Sequence, residues 1–252
     1  MIDAGGGHRV DIDATPVHVE PVVAAPRYNP GVSDVARIRS ASDQVSELTT
    51  ARLSVYLRCL DELDAQGINT VSSQGLAARF DLNAAQIRKD LAHFGEFGIR
   101  GVGYYVKDLK RHLRQILGLD RSNKVIILGA GNLGMALADY PGFRADGFDI
   151  VALFDTAREK VGQYSRSGVP IRHARDLARV VERERVDMAV VTVPGDAAQS
   201  CLDAVVAAGI RAILNFSPGN LRVPPGVKLK SMDLAVTFQS LSFFLANGAV
   251  DD

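Results

Sequence analysis

The chain has 252 residues, of which 47% are hydrophobic and 23% charged, and its formal net charge is zero. This composition excludes a disordered or fibrous chain, and the length is sufficient for two globular domains. We find neither an apolar run long enough to cross a bilayer nor a secretory leader, so the sequence predicts a cytoplasmic protein.

Residues 1–45 mix Gly, Pro, Ala, Val and Asp without helical or strand period, which predicts a disordered tail. From Ser46 the period becomes helical, and Gly67 is placed to end this helix. A first domain is predicted to begin here and to span residues 46–119. The buried stripe of its first helix consists of Leu53, Tyr56, Leu57, Leu60 and Leu63.

Two shorter helices are predicted next, separated by a tight turn. Ser72 and Ser73 are good N-caps for the first, and Asn83 can cap the second, which runs to about Phe94. This order is typical of a helix-turn-helix, whose last helix enters the major groove of DNA. Residues 79–114 hold eight basic and four acidic side chains, which agrees with DNA binding, although a solvated face gives the same count.

A glycine-rich segment over residues 95–104 predicts a β-hairpin, with Val102, Tyr104 and Val106 in alternation. After a helix-turn-helix, such a hairpin is typical of a wing. Arg100 would lie near its tip, where a guanidinium can enter a narrow minor groove or bind phosphate. The alternative is an ordinary solvated arginine. A closing helix with Leu109, Leu113, Ile116 and Leu117 on one face, followed by Gly118, completes the domain.

A polar linker over residues 120–123 leads to a predicted buried strand over residues 125–128. The turn after it, Gly129-Ala130-Gly131-Asn132-Leu133-Gly134, matches the dinucleotide-binding pattern Gly-x-Gly-x-x-Gly. A helix follows the turn, and then a second strand, Phe148 to Phe154, ends in Asp155. In this context the glycines allow a tight turn, close approach of a pyrophosphate to backbone amides, and close packing of helix on strand.

Asp155 is suited to accept a hydrogen bond from a ribose 2′-hydroxyl and to repel a 2′-phosphate, which favours NAD(H) over NADP(H). Arg158 and Lys160 nearby weaken that preference. Further helices (174–184, 197–208) and strands (188–193, 212–216) predict a Rossmann-type, mostly parallel sheet over residues 120–230. Thr192-Val193-Pro194 would follow a strand on the ligand side of this sheet.

Four stretches of the chain are distinctive when taken together: Gln86–Leu91 (QIRKDL), Phe94–Tyr104 (FGEFGIRGVGY), Gly129–Gly134 and Asp233–Leu245 (DLAVTFQSLSFFL). In this order they closely resemble the Rex family of redox-sensing transcriptional repressors. The resemblance covers about residues 50–245. It implies a homodimer that binds palindromic operators of respiratory and fermentative genes when NADH is scarce and releases them when NADH rises.

The resemblance also implies roles for individual residues. Tyr140 and Asp233 resemble a tyrosine near the nicotinamide and its partner aspartate; without the resemblance they could be a core aromatic and a helix N-cap. The expected DNA contacts are Ser73, Asn83, Gln86, Arg88, Lys89, Arg100 and Gly101. The expected NADH/NAD⁺ site consists of Gly129, Ala130, Gly131, Asn132, Leu133, Gly134, Asp155, Thr192, Val193, Pro194, Tyr140 and Asp233. We predict no catalytic residue and no metal ligand.

Three residues depart from the family pattern. Ser54 stands where proline is usual, Asp81 where a turn glycine is usual, and Ile99 where the wing often has a polar or basic residue. Because aspartate tolerates left-handed backbone, we expect the turn at Asp81 to survive. We expect Ile99 to weaken one phosphate contact.

An NAD-dependent enzyme and a coenzyme A-binding module, neither with redox-dependent DNA binding, are the alternatives. An enzyme would need a substrate domain and acid-base residues, yet only residues 231–252 follow the nucleotide domain. His173 precedes a helix, away from the predicted strand ends. A coenzyme A-binding module would need neither Asp155 nor a wing. Cys59 and Cys201 lie in helical patterns without nearby ligand residues, which favours buried, reduced thiols.

Residues 231–252 are predicted to contain a helix that is apolar on nearly its whole circumference. Such a helix has to be buried, yet little of its own domain remains to cover it. We therefore predict a domain-swapped helix that inserts between the two domains of the other subunit. The predicted fold is α/β, with an N-terminal winged-helix domain, a Rossmann-type sheet and this swapped helix. Its apolar residues are Leu234, Val236, Phe238, Leu241, Phe243, Phe244 and Leu245.

Overall fold

The computed structural model describes residues 46–247. The tail predicted over residues 1–45 lies outside the described residues. The N-terminal elements are α1 (Glu47–Ala65), β1 (Thr70–Val71), α2 (Ser73–Phe80), α3 (Ala84–Ala92), β2 (Tyr104–Tyr105) and α4 (Val106–Ile116).

Side-chain caps set the starts of the first three helices. Ser46 Oγ accepts from the Thr49 N–H at 3.1 Å, and Asn83 Oδ1 accepts from the Gln86 N–H at 3.0 Å. Ser72 Oγ caps α2 in the same way, by accepting from the Gly75 N–H. Each such cap stabilises its helix by about 1 kcal/mol. The turn after α2 survives as expected, because Asp81 takes the left-handed conformation with φ of 50°.

One hydrophobic core joins α1, α2, α3 and α4. The predicted stripe of α1 is buried throughout, and Leu109 and Leu113 of α4 meet it. The predicted alternation after the wing is wrong. Val106 begins α4 instead of continuing a strand, and Val102 is exposed, whereas Tyr104 and Val106 are buried.

A six-stranded sheet follows, and all its neighbouring strands are parallel. The strand order is β5-β4-β3-β6-β7-β8. From β3 the chain first adds β4 and β5 on one side and then β6, β7 and β8 on the other, so the strand order reverses between β3 and β6. Ligands of such sheets bind beyond the carboxyl ends of the strands at this reversal. The strands are β3 (Asn123–Leu128), β4 (Phe148–Asp155), β5 (Ile171–His173), β6 (Met188–Val191), β7 (Ala212–Asn215) and β8 (Lys228–Ser231).

Helices cover both faces of the sheet, where two hydrophobic clusters form. The helices are α5 (Asn132–Ala138), α6 (Gly142–Ala145), α7 (Leu177–Glu184, preceded by the 3₁₀ turn Ala174–Asp176) and α8 (Gly195–Ala207). Among them, α8 buries Ala198, Leu202 and Val205 completely. The mostly parallel Rossmann-type sheet predicted from the sequence is confirmed.

Several local predictions in this region are wrong. Asn123 is not part of the polar linker but a buried residue of β3, where its amide donates to the Gly118 carbonyl at 3.0 Å. His173 ends β5, so it does lie at a strand end. Both cysteines are free thiols, but Cys201 is only half-buried, whereas Cys59 is buried.

The last described helix, α9 (Leu234–Ala246), has no buried residue. Its seven predicted apolar residues are 46% to 74% exposed in the single chain. The described part of the chain therefore leaves the apolar surface of α9 uncovered, as a helix that needs a partner would be. Within residues 46–247, no helix combines the length and hydropathy that crossing a membrane requires.

Candidate DNA and dinucleotide sites

Helix α3 presents basic side chains on its solvent face. Lys89 and Arg88 are exposed, and Arg88 Nη1 donates to Ser73 Oγ at 2.9 Å, which links α3 to the start of α2. Asn83 is exposed, but its side-chain oxygen caps α3 by accepting from the Gln86 N–H. The bond between Arg88 and Ser73 thus brings together predicted contacts from both helices of the helix-turn-helix.

Gln86 is half-buried and binds Asp90, a residue that the sequence analysis did not identify. Its Nε2 donates to Asp90 Oδ1 at 2.7 Å. Asp90 is 4% exposed and also accepts from Arg52 and Tyr56, both on α1. No signal in the sequence marks Asp90, because its partners on α1 lie 34 and 38 residues away.

The pKa values of this cluster follow from its burial and its hydrogen bonds. Burial acts to raise the pKa of Asp90, but donors on Arg52, Gln86 and Tyr56 outweigh it and hold that pKa below its ordinary value. Burial, with the hydrogen bond to Asp90, raises the pKa of Tyr56 to about 12. Asp90 is therefore a carboxylate and Tyr56 a neutral donor at physiological pH.

The wing is a tight hairpin closed by Ile99 and Gly103, which exchange two backbone hydrogen bonds of 2.8 and 2.9 Å. Arg100 and Gly101 form its exposed tip, and Gly101 has a φ of 85°. Gly103 is required twice over. Its φ is 97°, and an added Cβ would lie 2.6 Å from the Val71 carbonyl oxygen. These constraints hold Arg100 at the end of a short, fixed projection.

The glycine-rich turn follows the carboxyl end of β3, beside the end of β6. Gly129 has a φ of 104°, and its missing Cβ would lie 2.9 Å from the Thr192 carbonyl oxygen. A Cβ on Gly134 would lie 1.9 Å from the Gly129 carbonyl oxygen, so α5 packs too closely for any side chain there. A Cβ on Gly131, by contrast, would meet nothing within 4 Å. Gly131 thus leaves open space before the N-terminus of α5.

Asp155 ends β4 beside this turn, and the structure brings the two together. Its carboxylate accepts from the backbone N–H of Ala130 at 2.9 Å and of Ala157 at 2.9 Å, and from Lys160 Nζ at 3.2 Å. Burial acts to raise the pKa of Asp155, but these donors lower it below its ordinary value. Asp155 is therefore ionised, and Lys160 offsets part of its charge.

The other predicted nucleotide residues border the same opening. Thr192 Oγ1 donates to the carbonyl oxygens of Leu128 and Gly129 at 3.0 Å each, so it fastens β6 to the turn. The Val193 carbonyl accepts from Ser217 Oγ, and Pro194 precedes α8. Asn132 and Leu133, in the first turn of α5, are exposed.

Tyr140 and Asp233 are not brought together within one chain. Tyr140 is 56% exposed, which excludes a core aromatic, and its ring meets Phe143 edge to face at 5.1 Å. Asp233 is the N-cap of α9, accepting from the N–H groups of Ala235 and Val236. Within residues 46–247, no hydrogen bond joins Tyr140 to Asp233.

Two family models match the chain. Residues 44–92 match a putative DNA-binding protein N-terminus, and residues 120–219 match a CoA binding domain. The first match includes α1, α2 and α3, and the second spans β3 to β7 of the parallel sheet.

Curated relatives match across both parts of the molecule. A redox-sensing transcriptional repressor Rex from Desulfitobacterium hafniense is 46% identical, over 79% of this chain and 95% of its own. Another repressor of that name, from Thermus thermophilus, is 47% identical, over 81% of this chain and 95% of its own.

Solved structures agree in fold and sequence. RSP in complex with β-NAD⁺ and operator DNA has a TM-score of 0.77 at 37% identity, covering 82% of this chain and 94% of its own. RSP in complex with β-NADH has a TM-score of 0.71 at 35% identity, covering 82% and 96%.

Proposed function

This chain belongs to the Rex family of redox-sensing transcriptional repressors, and from that premise we propose how its residues divide the work of sensing NADH and binding an operator. It is a DNA-binding repressor that responds to NADH and NAD⁺, not an enzyme. The observation that carries this conclusion is the match over about 95% of the length of relatives named as Rex repressors, which includes both the DNA-binding and the nucleotide-binding parts.

The nucleotide site fits a dinucleotide at the turn over residues 129–134. Gly131 lacks a side chain where open space adjoins the backbone N–H groups of α5, and this space suits a pyrophosphate. Asp155 borders it as an ionised acceptor for a ribose hydroxyl. The residues from Thr192 to Pro194 line the same end of the sheet. NADH would supply a reduced nicotinamide when bound, and Tyr140 is the residue that would lie next to it.

The DNA site uses α3 in a major groove and the wing in an adjacent minor groove. Lys89 and Arg88 extend from α3, and Arg100 projects from the wing tip. Ser73 and Asn83 position this surface, and Gly101 lets the wing turn. Guanidinium and ammonium groups so placed bind phosphates and base edges, which gives affinity that falls with salt.

The protein acts as a homodimer, and we assign α9 as the element that joins the subunits. The support is its uncovered apolar surface, since seven large apolar side chains on one helix cost too much to leave in water. In this arrangement Asp233 approaches the partner's nucleotide site. We assign DNA binding to residues 46–119, nucleotide binding to residues 120–230 and dimerisation to residues 231–252. The protein would act in the cytoplasm, where operators are accessible.

A gel-shift experiment tests this function directly. Operator duplexes with an inverted repeat should be bound without NADH and released as NADH is added, while NAD⁺ should release them less. Titration with NADH, NAD⁺ and coenzyme A, monitored by calorimetry, separates the proposal from a coenzyme A-binding module. Tight binding of coenzyme A without binding of NADH would contradict it.

A further inference from the structure

Asp90 is a buried charge on a helix that otherwise presents its charges to solvent. It is 4% exposed, whereas Arg88 and Lys89 on the same helix are exposed. Both oxygens are fully used. Oδ2 accepts from Arg52 Nε at 2.6 Å and from Tyr56 Oη at 2.9 Å, while Oδ1 accepts from Arg52 Nη2 at 2.8 Å and from Gln86 Nε2 at 2.7 Å. A buried carboxylate is tolerated only when paired in this way.

The charge of Asp90 determines the orientation of the Gln86 amide. A carboxylate can only accept hydrogen bonds, so the group that Gln86 turns toward Asp90 has to be its NH₂. The carbonyl oxygen of Gln86 then faces away from Asp90, together with the second N–H of the amide. Arg52 and Tyr56 keep Asp90 ionised and in place, and thereby prevent the reversed amide.

Gln86 occupies the part of α3 that would reach the base edges. It is the third residue of α3, and the N-terminal residues of a recognition helix lie deepest in the major groove. An amide that offers an acceptor beside a donor matches the N6 amino group and N7 of adenine. Guanine presents two acceptors at the same edge, so the same amide orientation discriminates against it.

We propose that Asp90 is a positioning residue for base recognition, which fixes the Gln86 amide so that it selects adenine at one position of each operator half-site. The inference rests on the proposed function, because it takes Gln86 to be a base contact. It adds a residue that acts on specificity through Gln86 without touching DNA.

Selection from a library of duplexes with a randomised inverted repeat provides the test. We expect Gln86→Ala to reduce the adenine preference at one position per half-site by about tenfold or more. Asp90→Asn should reduce the preference at the same position to a similar extent, because its own NH₂ lets the Gln86 amide reverse. The double variant should show no further loss, and preferences at other positions should stay unchanged.

Tyr56→Phe is the matched control, since it removes one hydrogen bond to Asp90 but leaves the contacts of Arg52 and Gln86. It should keep the adenine preference. An Asp90→Asn protein that retains this preference, or that loses preference equally at all positions, would overturn the inference while leaving the base contact of Gln86 intact. Unchanged selection by Gln86→Ala would instead overturn the contact itself and the inference with it.

The wild-type protein gives a second measurement that does not depend on Asp90→Asn folding. The side-chain NH₂ signals of Gln86, assigned by their absence in Gln86→Ala, should exchange with water several-fold more slowly than those of exposed glutamines such as Gln74. Exchange at the rate of Gln74 would show that Asp90 does not hold the amide, and would overturn the inference.

Discussion

In the proposed sites, the winged-helix half and the Rossmann half present different parts of the chain to their ligands. On the DNA side, Lys89 and Arg100 are long, exposed side chains on rigid supports. On the nucleotide side, the turn over residues 129–134 presents backbone, and its decisive feature is the absence of an atom, the Cβ of Gly131. Removing a side chain should therefore damage the first site, whereas adding a single methyl group should damage the second.

Removal of α9 tests whether the two halves work without the element that we assign to dimerisation, and we expect it to have the largest effect. A chain that ends after Ser231 should be monomeric or aggregated in sedimentation, and operator affinity should fall by about 100-fold or more, because two half-sites are no longer bound together. A chain that ends after Asn247 keeps α9 and is the control. A stable, NADH-responsive dimer of the shorter chain would rule out the swapped helix.

Gly131→Ala tests the backbone character of the nucleotide site. Its φ of −81° suits any residue and its Cβ meets no protein atom, so the fold should be retained. NADH affinity should fall by about tenfold to 100-fold, because the methyl group occupies space needed by the pyrophosphate. The variant should still bind operator and ignore NADH in a gel shift.

The control for this prediction is Gly134→Ala, whose Cβ would overlap the Gly129 carbonyl oxygen. It should lower the thermal midpoint, whereas Gly131→Ala should not. Normal NADH binding by Gly131→Ala would mean that the pyrophosphate lies elsewhere.

Lys89→Ala and Arg100→Ala test the side-chain character of the DNA site. Each should weaken operator binding by about tenfold and leave NADH affinity unchanged. Loss of one phosphate contact should also reduce the slope of log affinity against log salt by about one unit. Arg179→Ala removes the same charge from the Rossmann half and should change neither quantity. If Lys89 reads a base, its loss will relax sequence preference instead of the salt slope.

Asp155→Ala should have the smallest effect, because Lys160 already offsets part of the carboxylate charge. The preference for NADH over NADPH should fall by about tenfold or less, measured as the ratio of the two dissociation constants. Asp155→Asn removes the charge and keeps the shape and one acceptor, at the cost of one of the two backbone hydrogen bonds from Ala130 and Ala157. An unchanged ratio in both variants would show that another group selects the ribose.

The sequence predicts well what depends on neighbours along the chain. Caps such as Asn83 and the stripe of α1 are local, and the strand-turn-helix at residues 129–134 is a continuous motif. Short strands are missed, because β5 has only three residues and β8 only four, too few for a period to be recognised. Burial of Asn123 is missed as well, since its reason is a bond to the Gly118 carbonyl that only the folded chain reveals.

The candidate sites divide in the same way. Gly131 and Asp155 can be identified from a motif, and the structure adds that Asp155 already binds backbone N–H groups. Asp90 could not be identified, because an aspartate among polar residues on a helix predicts a solvated side chain. Its burial arises from Arg52 and Tyr56, which approach only when α1 packs against α3.

Strand β8 has a consequence for how the protein behaves at high concentration. It forms one edge of the six-stranded sheet, and the backbone groups on its outer side have no neighbouring strand among the described residues. An open edge of this kind invites a strand from another molecule, which is a route to aggregation. Lys230 is exposed along it and its charge repels an identical edge that approaches, while the charge of Lys228 is offset by an ion pair with Glu47. Lys230 and the shortness of β8 thus both protect the sheet from unwanted growth.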